Sequence, residues 1–325
     1  MSGSAVRPPR LVVLGCGYVG TALAHAALAR GWTVSALTRN APRAAELEAA
    51  GVTPVVVADL AADGWPPALD PAGAAIVNCV SPSSGDLAGY QHSFVGGMHS
   101  VRAWLEKSAA AGRAPARDFL FTSATSVYPQ TDGGWVGEDA AGVAPEMSPA
   151  GIVLREAEEM VLALPGAQCE RRWVLRLGGI YGPGRHAMLD ALRAGQRVFS
   201  GSGDDWMNLI HRDDAAGAIL ACLEAGIGAK GGVCNIVDDT PVRRGDLLDE
   251  LAGLLGVAPG QVRCDAAQKG GRSSHRQLAA GTVPNRRISN TRLKDVTGWR
   301  PLYPSFRQGY RTIMAKGSAF FDRDP

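Results

Sequence analysis

The sequence has little of what marks a secreted, metal-built or membrane-embedded chain. Its 325 residues hold only six cysteines: Cys16, Cys79, Cys169, Cys222, Cys234 and Cys264. No two of them form a C-x-x-C pair, and several lie inside apolar runs, where a thiol behaves as a small hydrophobe. That pattern argues against a disulfide framework or a zinc site and for a reduced, cytoplasmic protein. Charge of one sign is lacking too. The 33 basic and 31 acidic residues leave a formal net charge of +2, which gives no footprint for nucleic acid or a membrane surface. The stretch from Arg272 to Arg287 is locally Arg-rich and reads as a solvated loop. No apolar window reaches the roughly eighteen residues of a membrane span. Met1 to Pro9 is polar and lacks the apolar core of a signal peptide. No two histidines stand at metal-ligand spacing.

What is present is an ordinary globular composition, 46% apolar and 20% charged, with length for one large or two modest domains. Apolar runs at Arg10–Leu14, Thr33–Leu37, Pro54–Ala58, Ala74–Val80, Asp118–Thr122 and Arg172–Leu177 read as strands. Helical patterns at Tyr18–Arg30, Pro42–Ala50, Tyr90–Ala111 and Ser148–Leu164 alternate with them. Strict alternation predicts an α/β fold of Rossmann type, a doubly wound parallel sheet whose strands are buried on both faces. After Gly178 the rhythm breaks into Gly/Pro clusters, with helices at Asp213–Ala225 and Gly245–Leu255, a strand at Val233–Val237, and short helical patterns at Thr291–Val296 and Ser305–Ala315. Residues 265–287 read as a long loop. The expected division is a nucleotide-binding domain over 1–177 and a smaller substrate lobe over 178–325, some of whose segments return to the sheet.

Leu11 to Leu14 runs directly into Gly15-Cys16-Gly17-Tyr18-Val19-Gly20 and then a helix. That context makes the G-x-G-x-x-G spacing a dinucleotide fingerprint. Gly15 permits the tight turn, Gly17 lets the backbone approach a pyrophosphate, and Gly20 lets the helix pack on the strand. The helix start supplies N–H groups and a dipole for the phosphates. NAD readers carry an acid about twenty residues on. Here the segment is Ser35-Ala36-Leu37-Thr38-Arg39-Asn40, with no acid. A guanidinium at Arg39 pairs with a 2′-phosphate, which favours NADP with NAD as the alternative; the bland reading is a surface Arg opening the next helix. Asp59 either accepts from the adenine amino group or caps the next turn.

The Gly15–Gly20 turn, Asp59-Leu60, the run Phe121 to Tyr128, Arg176 with Tyr181-Gly182-Pro183-Gly184, and Asn208 to Ala215 together resemble the extended short-chain dehydrogenase/reductases, the NAD-dependent epimerase/dehydratase group. Ser289-Asn290, Gly298-Trp299 and Tyr303-Pro304-Ser305 resemble the end of such chains. The resemblance implies a cofactor set of Gly15, Gly17, Tyr18, Val19, Gly20, Arg39, Asp59, Leu60, Val80, Ser81 and Arg155. It also implies a Tyr-x-x-x-Lys pair on one helical face, with a Ser or Thr on the preceding strand, for proton transfer. This chain departs at all three places. The Tyr position is Gly151, the Lys position is Arg155 and the Ser/Thr position is Ala124. An Asn common on the family's long helix is Phe94. Arg155 keeps a charge for ribose hydroxyls, or forms a surface ion pair with Glu156 and Glu159.

Other groups are then candidates for moving a proton. Tyr128 comes first, with Ser123 or Thr125 as its hydrogen-bond partner, against a reading of Tyr128 as packing. His186 follows, since an imidazole titrates near neutrality, and Arg185 beside it suits an anionic substrate group. His211 reads as structural. Ser123 lacks a Gly-x-Ser-x-Gly elbow, so hydrolysis is not indicated. The expected function is an NADP(H)-dependent oxidoreductase or epimerase acting on a small polar or sugar-like carbonyl substrate through a non-standard acid–base set. The alternative is a non-catalytic NAD(P)-binding regulator or sensor. A homodimer is left open.

Overall fold

The computed structural model describes residues 8–142, 146–225, 230–267, 277–278 and 282–321. The polar start before residue 8 and most of the loop expected over 265–287 lie outside the described residues. At the described end of the Arg-rich stretch, Arg286 is buried and Arg287 opens a short strand, which corrects the reading of that end as solvated loop.

The apolar runs become strands β1 (Arg10–Leu14), β2 (Thr33–Thr38), β3 (Val55–Val57), β4 (Ala75–Asn78), β5 (Ala116–Ala124), β6 (Cys169–Leu177) and β7 (Gly231–Ile236). They form one seven-stranded sheet in the order β7-β6-β5-β4-β1-β2-β3. β1 pairs in parallel with β2 and β4, β2 with β3, and β4 with β5. Parallel pairing needs crossover helices on both faces. Leu11–Leu14 and Ala75–Val77 are therefore buried without alternation. Strand order reverses between β1 and β4. In sheets of this kind the crevice at the carboxyl ends of such a pair is where ligands bind.

Helix α1 (Tyr18–Leu28) follows β1, and α2 (Ala41–Ala49) follows β2. Asn40 caps α2 by accepting from the Arg43 N–H at 2.8 Å, with Pro42 in the first turn, where its missing N–H costs nothing. The single helix expected over Tyr90–Ala111 is interrupted. It runs as α3 (Leu87–Tyr90), a π-helical turn (Gln91–Gly96) and α4 (Gly97–Ala110). At the exit from that turn a Cβ on Gly97 would sit 3.1 Å from Leu60 Cδ2, so the small residue lets the helix approach Leu60. Helix α5 spans Pro149–Leu162.

The chain forms two compact units. The first comprises Met1–Ala124, Ile152–Arg176 and Ile219–Cys234; the second comprises Thr125–Gly151, Leu177–Ala218 and Asn235–Pro325. The sequence placed 125–151 with the nucleotide domain, and the structure differs. Once β5 ends, the next strand, Trp135–Val136, pairs with Arg287–Ile288, so its hydrogen bonds belong to the second unit. That unit also holds the short pairs Gly179–Tyr181 with Leu209–His211, Val198–Ser200 with Arg263–Asp265, and Trp206–Met207 with Val242–Arg243. Its core includes Leu189, Leu192, Leu247, Leu251, Phe306 and Tyr310. The Arg287 guanidinium lies between two indoles, 5.2 Å from the Trp135 ring and 5.1 Å from the Trp206 ring, a cation–π clasp across short strands. No helix among the described residues is long and apolar enough to cross a membrane. All six cysteines are free thiols, and all but Cys264 are buried.

Candidate functional site

The turn between β1 and α1 is built from glycines with different surroundings. Gly15 has φ +81°, and a Cβ there would stand 2.6 Å from the Val80 backbone. A Cβ on Gly20 would meet the Gly15 carbonyl oxygen at 2.9 Å and Val13 Cγ1 at 3.1 Å. A Cβ on Gly17 would find nothing nearer than 4.0 Å. Gly15 and Gly20 are thus fixed by packing, while Gly17 faces open space. The turn is held by the Gly15 and Cys16 N–H groups, which donate to the Leu37 carbonyl at 2.9 and 2.8 Å. Helix α1 starts at Gly17 with no side-chain cap and no acid in its first turn. Its positive end therefore carries no built-in anion.

Over this turn opens a cavity of about 390 Å³. Of the expected cofactor residues, Gly15, Gly17, Arg39, Asp59, Leu60, Val80 and Ser81 line it. Tyr18, Val19 and Gly20 form the first turn of α1 and are not in the wall. Leu37, Thr38, Asn40, Cys79 and Ser93 line it as well and were not singled out from the sequence. Four of these flank motif residues already in view. Ser93 was hidden because the π-helical turn breaks the 3.6-residue phase that would have shown its face.

Charge gathers at one end of the cavity. Arg39 Nη1 lies 3.5 Å from Asp59 Oδ2, and its Nη2 donates to the Ser81 carbonyl at 3.5 Å. His92 Nε2 lies 3.3 Å from Asp59 Oδ1, which also accepts the Ala61 N–H at 2.9 Å. Partial burial by itself would raise the Asp59 pKa. The Ala61 N–H, His92 and Arg39 outweigh it and hold the carboxyl below its ordinary value. The Cys79 thiol is pushed up to about 12 by burial, so the cavity wall presents no thiolate at neutral pH.

The expected proton-transfer groups are placed differently. In the first unit, Ser123 Oγ donates to Glu158 Oε1 at 2.6 Å. Glu158 is fully buried and also accepts from Arg176 Nε and Nη2, at 3.0 and 2.7 Å, and from Arg155 Nη1 at 2.7 Å. Arg155 Nη2 reaches Glu159 at 3.3 Å. Arg155 does not line the cavity; its ion pairs are with Glu158 and Glu159, and Glu156 takes no part. In the second unit, Tyr128 is fully buried and its hydroxyl donates to Asn235 Oδ1 at 2.6 Å. With no exposed surface, this phenol fits the packing reading better than the acid one. Ser123 and Tyr128 thus belong to separate networks and do not pair. The Thr125 carbonyl accepts from Arg286 Nη2 at 2.5 Å. His186 precedes helix α6 (Ala187–Arg193), with Nδ1 2.7 Å from Asp190 Oδ1. Phe94 is buried edge-on against Tyr90 and Phe121, with centroids 5.5 and 5.9 Å apart.

Gly151 is closed as well as bare. A Cβ there would stand 2.9 Å from the Ser126 carbonyl oxygen and 3.2 Å from both Met147 Cε and Ser148 Oγ. No larger side chain fits without backbone movement. Among the described residues no group of three or more His, Cys, Asp or Glu could hold a metal ion.

The model of the NAD dependent epimerase/dehydratase family matches residues 11–236. Protein YeeZ of Escherichia coli K12 is 31% identical over 271 residues, covering 78% of this chain and 86% of that protein. A 3-diazoavenalumate denitrifying reductase of Streptomyces sp is 29% identical over 329 residues, covering 92% of this chain and 98% of the relative. The solved structure of MoeE5 in complex with UDP-glucuronic acid and NAD has a TM-score of 0.74 at 20% identity, covering 95% of this chain and 99% of that one, a likeness of fold.

Proposed function

Because the chain belongs to the NAD dependent epimerase/dehydratase family, we propose that it holds NADP(H) in the cavity over the Gly15–Gly20 turn and reduces a small polar substrate by hydride transfer. The observation that carries the cofactor choice is Arg39 in the cavity wall, at the end of β2, where an NAD reader would place an acid. The residues fit the group. Gly17 leaves room for a pyrophosphate against the uncapped start of α1, and Arg39 offers a fork for a 2′-phosphate. Leu60 and Val80 supply apolar wall, and Ser81 a polar edge. The nicotinamide, when bound, supplies or accepts the hydride.

The closed position at Gly151 favours reduction over the proton shuttling of the wider family. No phenol stands there to protonate an oxyanion, so in this reading the proton that accompanies the hydride is taken up from solvent. The Streptomyces relative is itself named a reductase. Carbonyl compounds, sugar-like ones among them, are the first acceptors to test. The second unit offers Arg185 and His186 toward an anionic group.

Fluorescence titration with NADPH and NADH, repeated on Arg39→Ala, tests the cofactor half. NADPH binds at least about tenfold tighter to the natural chain, and Arg39→Ala removes that preference. Unchanged NADPH affinity in Arg39→Ala sinks the phosphate clamp. Oxidation of NADPH across an acceptor panel tests the chemistry. Tight binding with no turnover on any acceptor would replace this reading with a cofactor sensor.

A further inference from the structure

His92 stands beside the cavity without lining it. The π-helical turn Gln91–Gly96 carries it, next to Ser93 of the wall. π-helical turns inside α-helices recur at functional sites because they re-aim side chains. Here the turn brings His92 Nε2 to 3.3 Å from one oxygen of Asp59, while Arg39 Nη1 lies 3.5 Å from the other. One carboxylate is therefore shared between two cationic or proton-donating side chains at the end of the cavity that holds Arg39.

We propose that His92 is a positioning residue that sets the preference for NADP(H), by holding the Asp59 carboxylate so that the Arg39 guanidinium can turn to a 2′-phosphate. The inference rests on the reading of Arg39 as the phosphate clamp and adds the group that makes the clamp available. A doubly charged phosphate takes the Arg39 fork best when both N–H directions are free for it. Asp59 competes for the same fork. With His92 and the Ala61 N–H both on Oδ1, the carboxylate keeps two partners when Arg39 leaves. Without His92 it loses one of them and holds Arg39 more firmly, and its charge stands less compensated beside the incoming phosphate. NADH carries no 2′-phosphate, so the freedom of the Arg39 fork does not enter its binding.

The test uses the full chain and two pairs of probes, NADPH against NADH and 2′-phospho-AMP against AMP, with melting temperature recorded for every variant. His92→Ala weakens NADPH and 2′-phospho-AMP about tenfold, the scale of one lost charge-assisted contact, and leaves NADH and AMP within about twofold. His92→Gln, whose amide can still donate, recovers most of the loss. Adding Asp59→Asn to His92→Ala restores NADPH binding, because the carboxylate that recaptures Arg39 is gone. A purely structural His92 would weaken all four probes together and would not be rescued by Asp59→Asn. An unchanged NADPH-to-NADH ratio in His92→Ala, or no rescue in the double variant, overturns the proposal. If Arg39→Ala also leaves NADPH binding intact, the clamp itself fails. If Arg39→Ala abolishes the preference while His92→Ala does not, only the role of His92 falls.

Discussion

One methyl group separates two outcomes at the glycine turn. On Gly17 it would project into open space beside the cavity, so Gly17→Ala keeps the fold, its stability changing by no more than about 0.5 kcal/mol. It nevertheless blocks the close approach of a pyrophosphate, and NADPH affinity falls about tenfold or more. On Gly15 the methyl would combine a left-handed backbone with a 2.6 Å clash on Val80, so Gly15→Ala loses roughly 2 kcal/mol or more as well as binding. Thermal scans beside NADPH titrations separate the two variants. Asp238, in the second unit, gives a pH-dependent counterpart. Burial first, then the nearby charges of Asp239 and Asp214, push its carboxyl up to about 8, against the Thr240 and Phe306 N–H groups that favour ionisation. The folded state therefore keeps a proton that the unfolded chain releases near pH 4. Stability from this group is greatest below that point and falls as pH rises toward 8. Asp238→Asn removes that dependence. Its melting temperature should fall less than that of the natural chain between pH 5 and 8, by about 2–4 °C for each kcal/mol involved. Spacing from the glycine turn made Arg39 legible in the sequence. His92 and Ser93 were not, because their placement depends on a helical irregularity that residue types do not announce.

Helix α5 is fastened to the sheet through one buried carboxylate. Glu158 accepts from Ser123 of β5, Arg176 of β6 and Arg155 of its own helix, and so ties the helix to two strands of the sheet. Removing a fully buried carboxylate of this kind takes the charge partner from the buried Arg176 guanidinium. Glu158→Ala should cost roughly 3–5 kcal/mol, read from urea unfolding midpoints, and Glu158→Gln less. At the start of the same helix, Gly151→Ala should lose about 1–3 kcal/mol through its contact with the Ser126 carbonyl. Gly151→Tyr should yield no new proton-transfer activity. The sequence shows a glycine at 151 but not the closed space around it. Central strands such as β1 and β4 were legible because burial on both faces leaves a continuous apolar run. Pairs such as Trp206–Met207 with Val242–Arg243 leave no period to read, since two residues cannot show alternation.

Across the whole molecule the two units are interleaved along the chain. The change of rhythm at Gly178 is legible in the sequence. The assignment of Thr125–Gly151 to the second unit is not, because the partners of Trp135–Val136 lie at Arg287–Ile288, far along the chain. A thiol reagent reports on the assembled molecule. Cys264, the one cysteine not buried, should react first in native buffer, and the other five only after denaturant, with mass spectrometry giving the order. The interleaving also sets a timetable. Every residue lining the cavity has been synthesised once the chain reaches Ser93, and β5 is complete at Ala124. β7, at the far edge of the same sheet, starts only at Gly231. At ribosomal speeds of roughly 5–20 residues per second, the nascent sheet waits on the order of 5–20 s with an unfinished edge exposed. The cell must shelter that half-built sheet until its last strand arrives.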